Sequence, residues 1–174
     1  MNDGRVWFTK RERTFFRCIN CGFGYIKPET NPNLPERLDE YEAAYRKYLE
    51  ADPGYRSDFL RLFQQLEDLC KVEGRKWLDV GCGTGKFVRF LNEHGVKGFG
   101  VEPSRPLFNR YLEGCGRFRN CSLEGIGEPE YSEYDIVSFL DVLEHIETPL
   151  STLQRAHRVL KPGGRLIIEI PAVD

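Results

Sequence analysis

The sequence predicts an α/β protein: a doubly wound, mostly parallel sheet of five strands behind an N-terminal hairpin and helical extension. Three observations lead there. From Trp77 onward, apolar runs of strand length alternate with amphipathic runs of helix length, the pattern of βαβ units. The first strand-like run breaks at once into WLDVGCGTGKF (77–87), with Gly81, Gly83 and Gly85 ahead of an amphipathic FVRFL. A strand that turns straight into a helix needs positive φ or very close backbone approach, and glycine meets both at no steric cost. Turn signals then punctuate the rest, at His94-Gly95, at Gly114 and at Lys161-Pro162-Gly163-Gly164.

Residues 1–35 read as a separate segment with its linker, and 36–174 as the main domain. In RTFFRCINCGFGY (13–25), Cys18 and Cys21 form a C-x-x-C followed by Gly22. Such a turn sets two thiolates on one side of a metal, but a closed zinc site needs four ligands. No second pair lies nearby. The segment is therefore either half of a zinc ribbon completed elsewhere or two reduced cysteines on a short hairpin. KPETNPNLP (27–35) is a linker rich in proline and asparagine. Apolar spacing predicts a helix over 34–49, carrying Tyr41, Tyr45 and Tyr48, and a second over 57–70. Beyond the glycine turn come helices over 86–93, 105–113 and 149–160. Strands fall over 96–101, 117–121 (weak), 135–139 and, after a turn, 165–170. Parallel strands joined by helices imply right-handed crossovers.

At 174 residues, 40% hydrophobic and 30% charged, the chain suits one well-cored soluble domain with an appendage. A net charge of −2 gives no general attraction to nucleic acid or an anionic membrane. No apolar run approaches the roughly 20 residues that span a bilayer, and the charged N-terminus is unlike a secretory signal. The six cysteines are scattered through an α/β core. That points to reduced thiols in a cytoplasmic protein rather than a disulfide framework.

In open parallel sheets, ligands bind beyond the carboxyl ends of the strands, where the strand order reverses. The glycine turn, Glu102 at the end of the second strand and residues 140–145 after the fourth all fall there. Glu102 can accept both hydroxyls of a ribose. A dinucleotide turn follows G-x-G-x-x-G, and its third glycine position is here Lys86. Asp79 beside the turn is a poor neighbour for a pyrophosphate and a good one for a cation. A ligand with a ribose, an adenine, an ammonium and a sulfonium suits these groups. A nicotinamide-dependent oxidoreductase is the alternative that Lys86 disfavours.

LDVGCGTG (78–85), GVEPS (100–104), DIVSFLDVLEHIETP (135–149) and LKPGGRLIIEIP (160–171) resemble, in order and spacing, the class I S-adenosylmethionine-dependent methyltransferases. The resemblance covers about 60–171. It implies a Rossmann-like fold, S-adenosyl-L-methionine as cofactor, and methyl transfer to an oxygen, nitrogen or carbon of a small-molecule substrate. It implies that Asp79, Gly81 and Gly83 hold the methionine part, with Cys82 and Gly85 in the same loop. Glu102 would bind the ribose, Pro103 would lie beside the adenine, and Ser122 and Leu123 would flank the base. Leu140 and Asp141 would line the pocket near the methyl group, with Asp141 and His145 as catalytic candidates. His145 would act as a general base, suited by its ordinary pKa of about 6.5; otherwise it caps a helix or bonds to backbone. Displacement can also proceed without a base, through alignment and desolvation.

The C-x-x-C segment resembles the zinc-ribbon end that precedes this domain in some family members, without their earlier cysteine pair. Members also continue past the fifth strand with a helix and an antiparallel strand pair. RLIIEI (165–170) is therefore expected to be an exposed apolar edge, covered by a second copy or a partner chain, or left open by truncation. The departure raises one alternative: a methyltransferase-like module that binds cofactor or a partner without turnover.

Overall fold

The computed structural model describes residues 4–10, 13–20, 24–26 and 55–171. Residues 1–43 and 44–174 form two compact units. In the first, β1 (Gly4–Lys10), β2 (Arg13–Cys18) and β3 (Gly24–Ile26) make an antiparallel sheet in that order. The expected hairpin is thus three strands, with a register shift in β1 between Val6 and Phe8. Trp7 and Ile19 are exposed, and the Arg17 guanidinium lies 5.3 Å from the centre of the Trp7 ring. Cys18 ends β2. Cys21, the linker and the helix expected over 34–49 with its tyrosines lie outside the described residues.

The second unit opens with α1 (Tyr55–Cys70), close to the helix read from the sequence. β4 (Lys76–Val80), α2 (Lys86–Glu93), β5 (Lys97–Val101), α3 (Arg105–Tyr111) and β6 (Phe118–Arg119) follow. β7 (Tyr134–Leu140), α4 (Pro149–Val159) and β8 (Leu160–Glu169) complete it. The sheet runs β6-β5-β4-β7-β8 with every neighbouring pair parallel. The chain builds outward from β4 to β6, then crosses back to place β7 on the other side of β4. That reversal puts the switch point beside β4.

Strand alternation divides the core. Leu78, Val80, Val137 and Phe139 pack on one face with Ala156 and Val159 of α4. Trp77 and Ile136 face the other way, against Leu66 of α1 and Phe87, Phe90 and Leu91 of α2. Trp77 meets Phe87 edge-on, with ring centres 5.4 Å apart. Each such large side chain contributes about 1.5–3 kcal/mol on burial. Helices on both faces pin β4, and β4 sets the height of the glycine turn.

Two elements differ from their sequence reading. The weak third strand contracts to Phe118–Arg119, because Asn120 leaves the ladder: its side-chain amide donates to the carbonyls of Glu102 (2.8 Å) and Pro103 (3.3 Å). The expected turn at 161–164 is absorbed into β8. Leu160 pairs with Tyr134 and Arg165 with Ile136, so the chain bulges around Pro162 and rejoins β7. Pro162 has no N–H to give the ladder, which is why the irregularity falls there. Beyond it, β8 is the sheet edge among the described residues, and Leu166, Ile168 and Ile170 are 40%, 43% and 52% exposed, the exposed apolar edge expected of this strand. No described helix is long and apolar enough to cross a membrane.

Candidate cofactor site

The loop between β4 and α2 is tied to the end of β5. The N–H groups of Gly81 and Cys82 both donate to the carbonyl of Val101, at 2.8 and 3.1 Å. Gly81 has φ of +70°, and a Cβ there would stand 2.8 Å from Cγ2 of Val142. A side chain is excluded twice over, by conformation and by the residue facing the turn. Cys82 turns inward instead. Its thiol is packed with Val88, Leu112 and Phe118, and burial, then Asp79 and Glu102, push its pKa up. The side chain of Cys82 is therefore core, and its backbone N–H is already committed.

Glu102 is buried at 6% exposure, and both of its oxygens are held by backbone. Gly83 N–H donates to Oε2 at 2.9 Å and Ser104 N–H to Oε1 at 2.7 Å. Burial raises the carboxyl pKa, and these two donors oppose the rise. A carboxylate offers about four lone-pair sites. Two are used, leaving one on each oxygen for a pair of neighbouring hydroxyls. Ser104 also caps α3, accepting from Leu107 N–H at 3.5 Å, so the same short turn fixes the helix and the carboxylate.

Asp79, 4% exposed, sits under the loop. Its Oδ1 accepts from the Ser138 hydroxyl at 2.6 Å, and Ser138 Oγ accepts from the Trp77 indole N–H at 2.8 Å. Burial pushes the Asp79 carboxyl up to about 7; the Ser138 hydrogen bond lowers it and the Glu102 charge raises it.

A cavity of about 240 Å³ opens beside these groups. Val80, Gly81, Val101 and Pro103 form one wall, and Ser122 and Leu123 another. Sequence reasoning missed the third wall: Glu124, Val142, Ile146, Thr148 and Thr152. Val142 could have been found from its place just after β7; the pairing of Thr152 Oγ1 with Glu124 at 2.7 Å could not. Arg155 of α4 braces this wall, donating to the Ile126 and Glu124 carbonyls at 2.5 and 3.1 Å and to the Tyr131 hydroxyl.

The predicted residues thus separate into groups. Gly81, Pro103, Ser122 and Leu123 share one cavity, and Gly83 and Glu102 are joined by a hydrogen bond. Gly85, with φ of +71°, packs against Phe118 and Leu112 at the start of α2. Leu140 packs on the Trp77 side of the sheet, and Asp141 is exposed with φ of +53°, its N–H donating to the Glu169 carbonyl at 2.9 Å. His145 does not line the cavity; its side chain is 62% exposed, 3.9 Å from Glu144. Among the described residues no three His, Cys, Asp or Glu side chains gather as metal ligands.

An adenosine with a cationic tail fits this donor set. Its diol would find the free lone pairs of Glu102, its base the apolar walls at Pro103 and Leu123, and its charge two carboxylates with bare backbone between them. Comparison with known proteins bears on the family and the cofactor class. A ubiquinone biosynthesis O-methyltransferase from Alkalilimnicola ehrlichii is 30% identical over 124 residues, 68% of this chain and 50% of the relative. The chain spans about half the length of the curated relatives it matches. A SAM-dependent methyltransferase from Archaeoglobus fulgidus superposes with a TM-score of 0.59 at 21% identity, over 75% of this chain and 58% of that one. The 1,6-didemethyltoxoflavin-N1-methyltransferase of Burkholderia thailandensis, solved with S-adenosylhomocysteine, gives 0.56 at 19% identity, over 94% and 72%. These two share the fold. Residues 45–174 match the family model described as a methyltransferase domain, and the chain belongs to the class I S-adenosylmethionine-dependent methyltransferases.

Proposed function

We propose that the chain transfers a methyl group from S-adenosylmethionine to a small-molecule acceptor. The observation that carries this is Glu102, a buried carboxylate held by Gly83 and Ser104 with one acceptor site left on each oxygen, set in the chain between Val101 and Pro103 of the cavity wall. When bound, the cofactor supplies an electrophilic methyl group on a sulfonium. Glu102 orients the ribose, Pro103 and Leu123 exclude water from the base, and Asp79 faces the charged tail. His145 stands beyond the cavity, where it would take the proton of an incoming nucleophile. The name of the Alkalilimnicola relative supports a hydroxyl as the first acceptor class to test.

The experiment is methyl transfer from isotopically labelled cofactor to a panel of phenols, amines and carbon acids. Labelled product that disappears in Glu102→Ala supports the reading. A folded chain that neither binds S-adenosylhomocysteine nor labels any acceptor rejects it.

Three further assignments go with this reading. The thiols of Cys82, Cys115 and Cys121, free of disulfides, accord with a cytoplasmic location. The exposed row Leu166, Ile168 and Ile170 is where a second copy, a partner or further chain would pack. Zinc at Cys18 and Cys21 would need ligands from outside that segment; substoichiometric zinc in purified protein rejects it.

A further inference from the structure

The N-terminal sheet takes no part in the cofactor site, and its charge is opposite to that of the rest of the chain. Residues 1–27 carry six cations (Arg5, Lys10, Arg11, Arg13, Arg17 and Lys27) against two acids, Asp3 and Glu12, a net charge of +4. The whole chain is −2, so residues 28–174 carry −6. The overall value conceals a basic segment. Among the described residues of that sheet there is no Asp or Glu.

Strand pairing concentrates the charge. In the β1–β2 ladder Arg5 stands opposite Arg17 and Lys10 opposite Arg13. Like charges set directly across two strands destabilise the pair, so the sheet by itself gains nothing from this register. Positions 13 and 17, four apart on β2, fall on one side of the sheet, and Arg5 and Arg17 are exposed.

Trp7 shares the side of Arg17. The ladder shifts register between Val6 and Phe8, which leaves Trp7 as the extra residue of a bulge. The indole reaches across the sheet: its Cζ3 lies 3.0 Å from where a Cβ on Gly24 would stand, and the Arg17 guanidinium is 5.3 Å from the ring centre. Gly24 is the register partner of Arg17. The ring thus rests on bare backbone of β3, braced by an arginine of β2, and the residue stays 47% exposed. An open indole flanked by arginines suits a planar group with anions on either side of it.

We propose that this face of the N-terminal sheet binds single-stranded nucleic acid, one base stacking on Trp7 and the neighbouring phosphates held by Arg5 and Arg17. Every base has a π-face, so stacking asks for no particular sequence, and the cations track the backbone. Arg5 and Lys10, one from each like-charged pair, lie about 17 Å apart along β1, five residues at roughly 3.3 Å each. That span exceeds one nucleotide and favours a strand. A duplex hides its base faces and offers Trp7 nothing.

The test titrates the whole chain at low salt with an oligothymidylate of about 12 nucleotides, reading tryptophan emission. The chain has two tryptophans and Trp77 is fully buried, so quenching reports Trp7. Saturable quenching is expected, with log affinity falling against log salt at a slope of about −1.4 to −2.8 for two to four phosphates neutralised. Trp7→Ala should weaken binding about 5- to 150-fold, and Trp7→Phe should keep most of the affinity. Arg17→Gln should reduce the slope by about 0.7. Absence of quenching overturns the proposal. So does equal affinity for thymidine monophosphate, for the matching duplex or for polyglutamate, since the face would then take a free nucleotide or any polyanion. Quenching on concentrating the chain alone would assign the face to a second copy and overturn it as well. These arms use the parent chain, so the matter is decided even where a variant fails to fold, and none of them bears on the cofactor reading.

Discussion

Glu102→Gln separates the ligand-binding role of this side chain from its structural one. The parent carboxylate accepts from Gly83 N–H at 2.9 Å and from Ser104 N–H at 2.7 Å. Glutamine keeps the size but turns one acceptor into an NH₂ donor, which must face one of those N–H groups. An N–H left without its acceptor costs about 1–3 kcal/mol. Against that, burial already holds the carboxyl above its ordinary pKa, so a neutral amide relieves part of the desolvation cost and offsets some of that loss. Stability should therefore fall by only about 1 kcal/mol. The ribose, however, loses a charged acceptor worth about 1.5–3 kcal/mol. Affinity for S-adenosylhomocysteine should drop about 10- to 150-fold. Calorimetric titration, with urea denaturation of the same preparation, reads both quantities. A folded Glu102→Gln chain that binds within about three-fold of the parent would refute the ribose assignment.

Asp79→Asn should move stability and binding in opposite directions. As pH rises, the unfolded chain loses this proton near 3.8 while the folded chain keeps it to about 7. Stability therefore declines across that window, by about 4 kcal/mol for a difference of about three pH units. The amide removes that slope and should be about 1–3 kcal/mol more stable than the parent above pH 7, once its unpaired N–H is counted. Parallel slopes in melts across pH would contradict the burial argument. Gly85→Ala places a Cβ 2.6 Å from Phe118 Cζ and 2.7 Å from Leu112 Cδ2 at φ of +71°. It should cost about 2–5 kcal/mol, and an unchanged urea midpoint would show the helix start to be looser than it is drawn. His145→Ala, exposed and outside the cavity, should leave stability within about 0.5 kcal/mol. If His145 is the base, methyl transfer falls about 10²- to 10⁴-fold, and turnover within a few-fold of the parent removes it from the mechanism.

The sheet was legible because buried parallel strands read as unbroken apolar runs between turn signals; KWLDV and YDIVSFL lie close to where their composition put them. Glu102 was legible from its place just after the second such run. Its state was not: that both oxygens are already gripped by backbone depends on where Gly83 and Ser104 fall in space. Ser138 carried no signal, since a serine inside a strand looks like any small residue until the register sets it against Asp79. Cys82 was visible as a loop residue, but the twist of the loop turns its thiol into the core. The turn at Pro162 misled because local chemistry marks a break there, while pairing with β7 resumes on its far side.

The most direct test is a crystal structure of the chain with S-adenosylhomocysteine. The ribose hydroxyls should lie within hydrogen-bonding distance of both Glu102 oxygens, the adenine between Pro103 and Leu123, and the ammonium against Asp79. A nucleoside bound elsewhere, with Glu102 still touching only Gly83 and Ser104, would contradict the cofactor site.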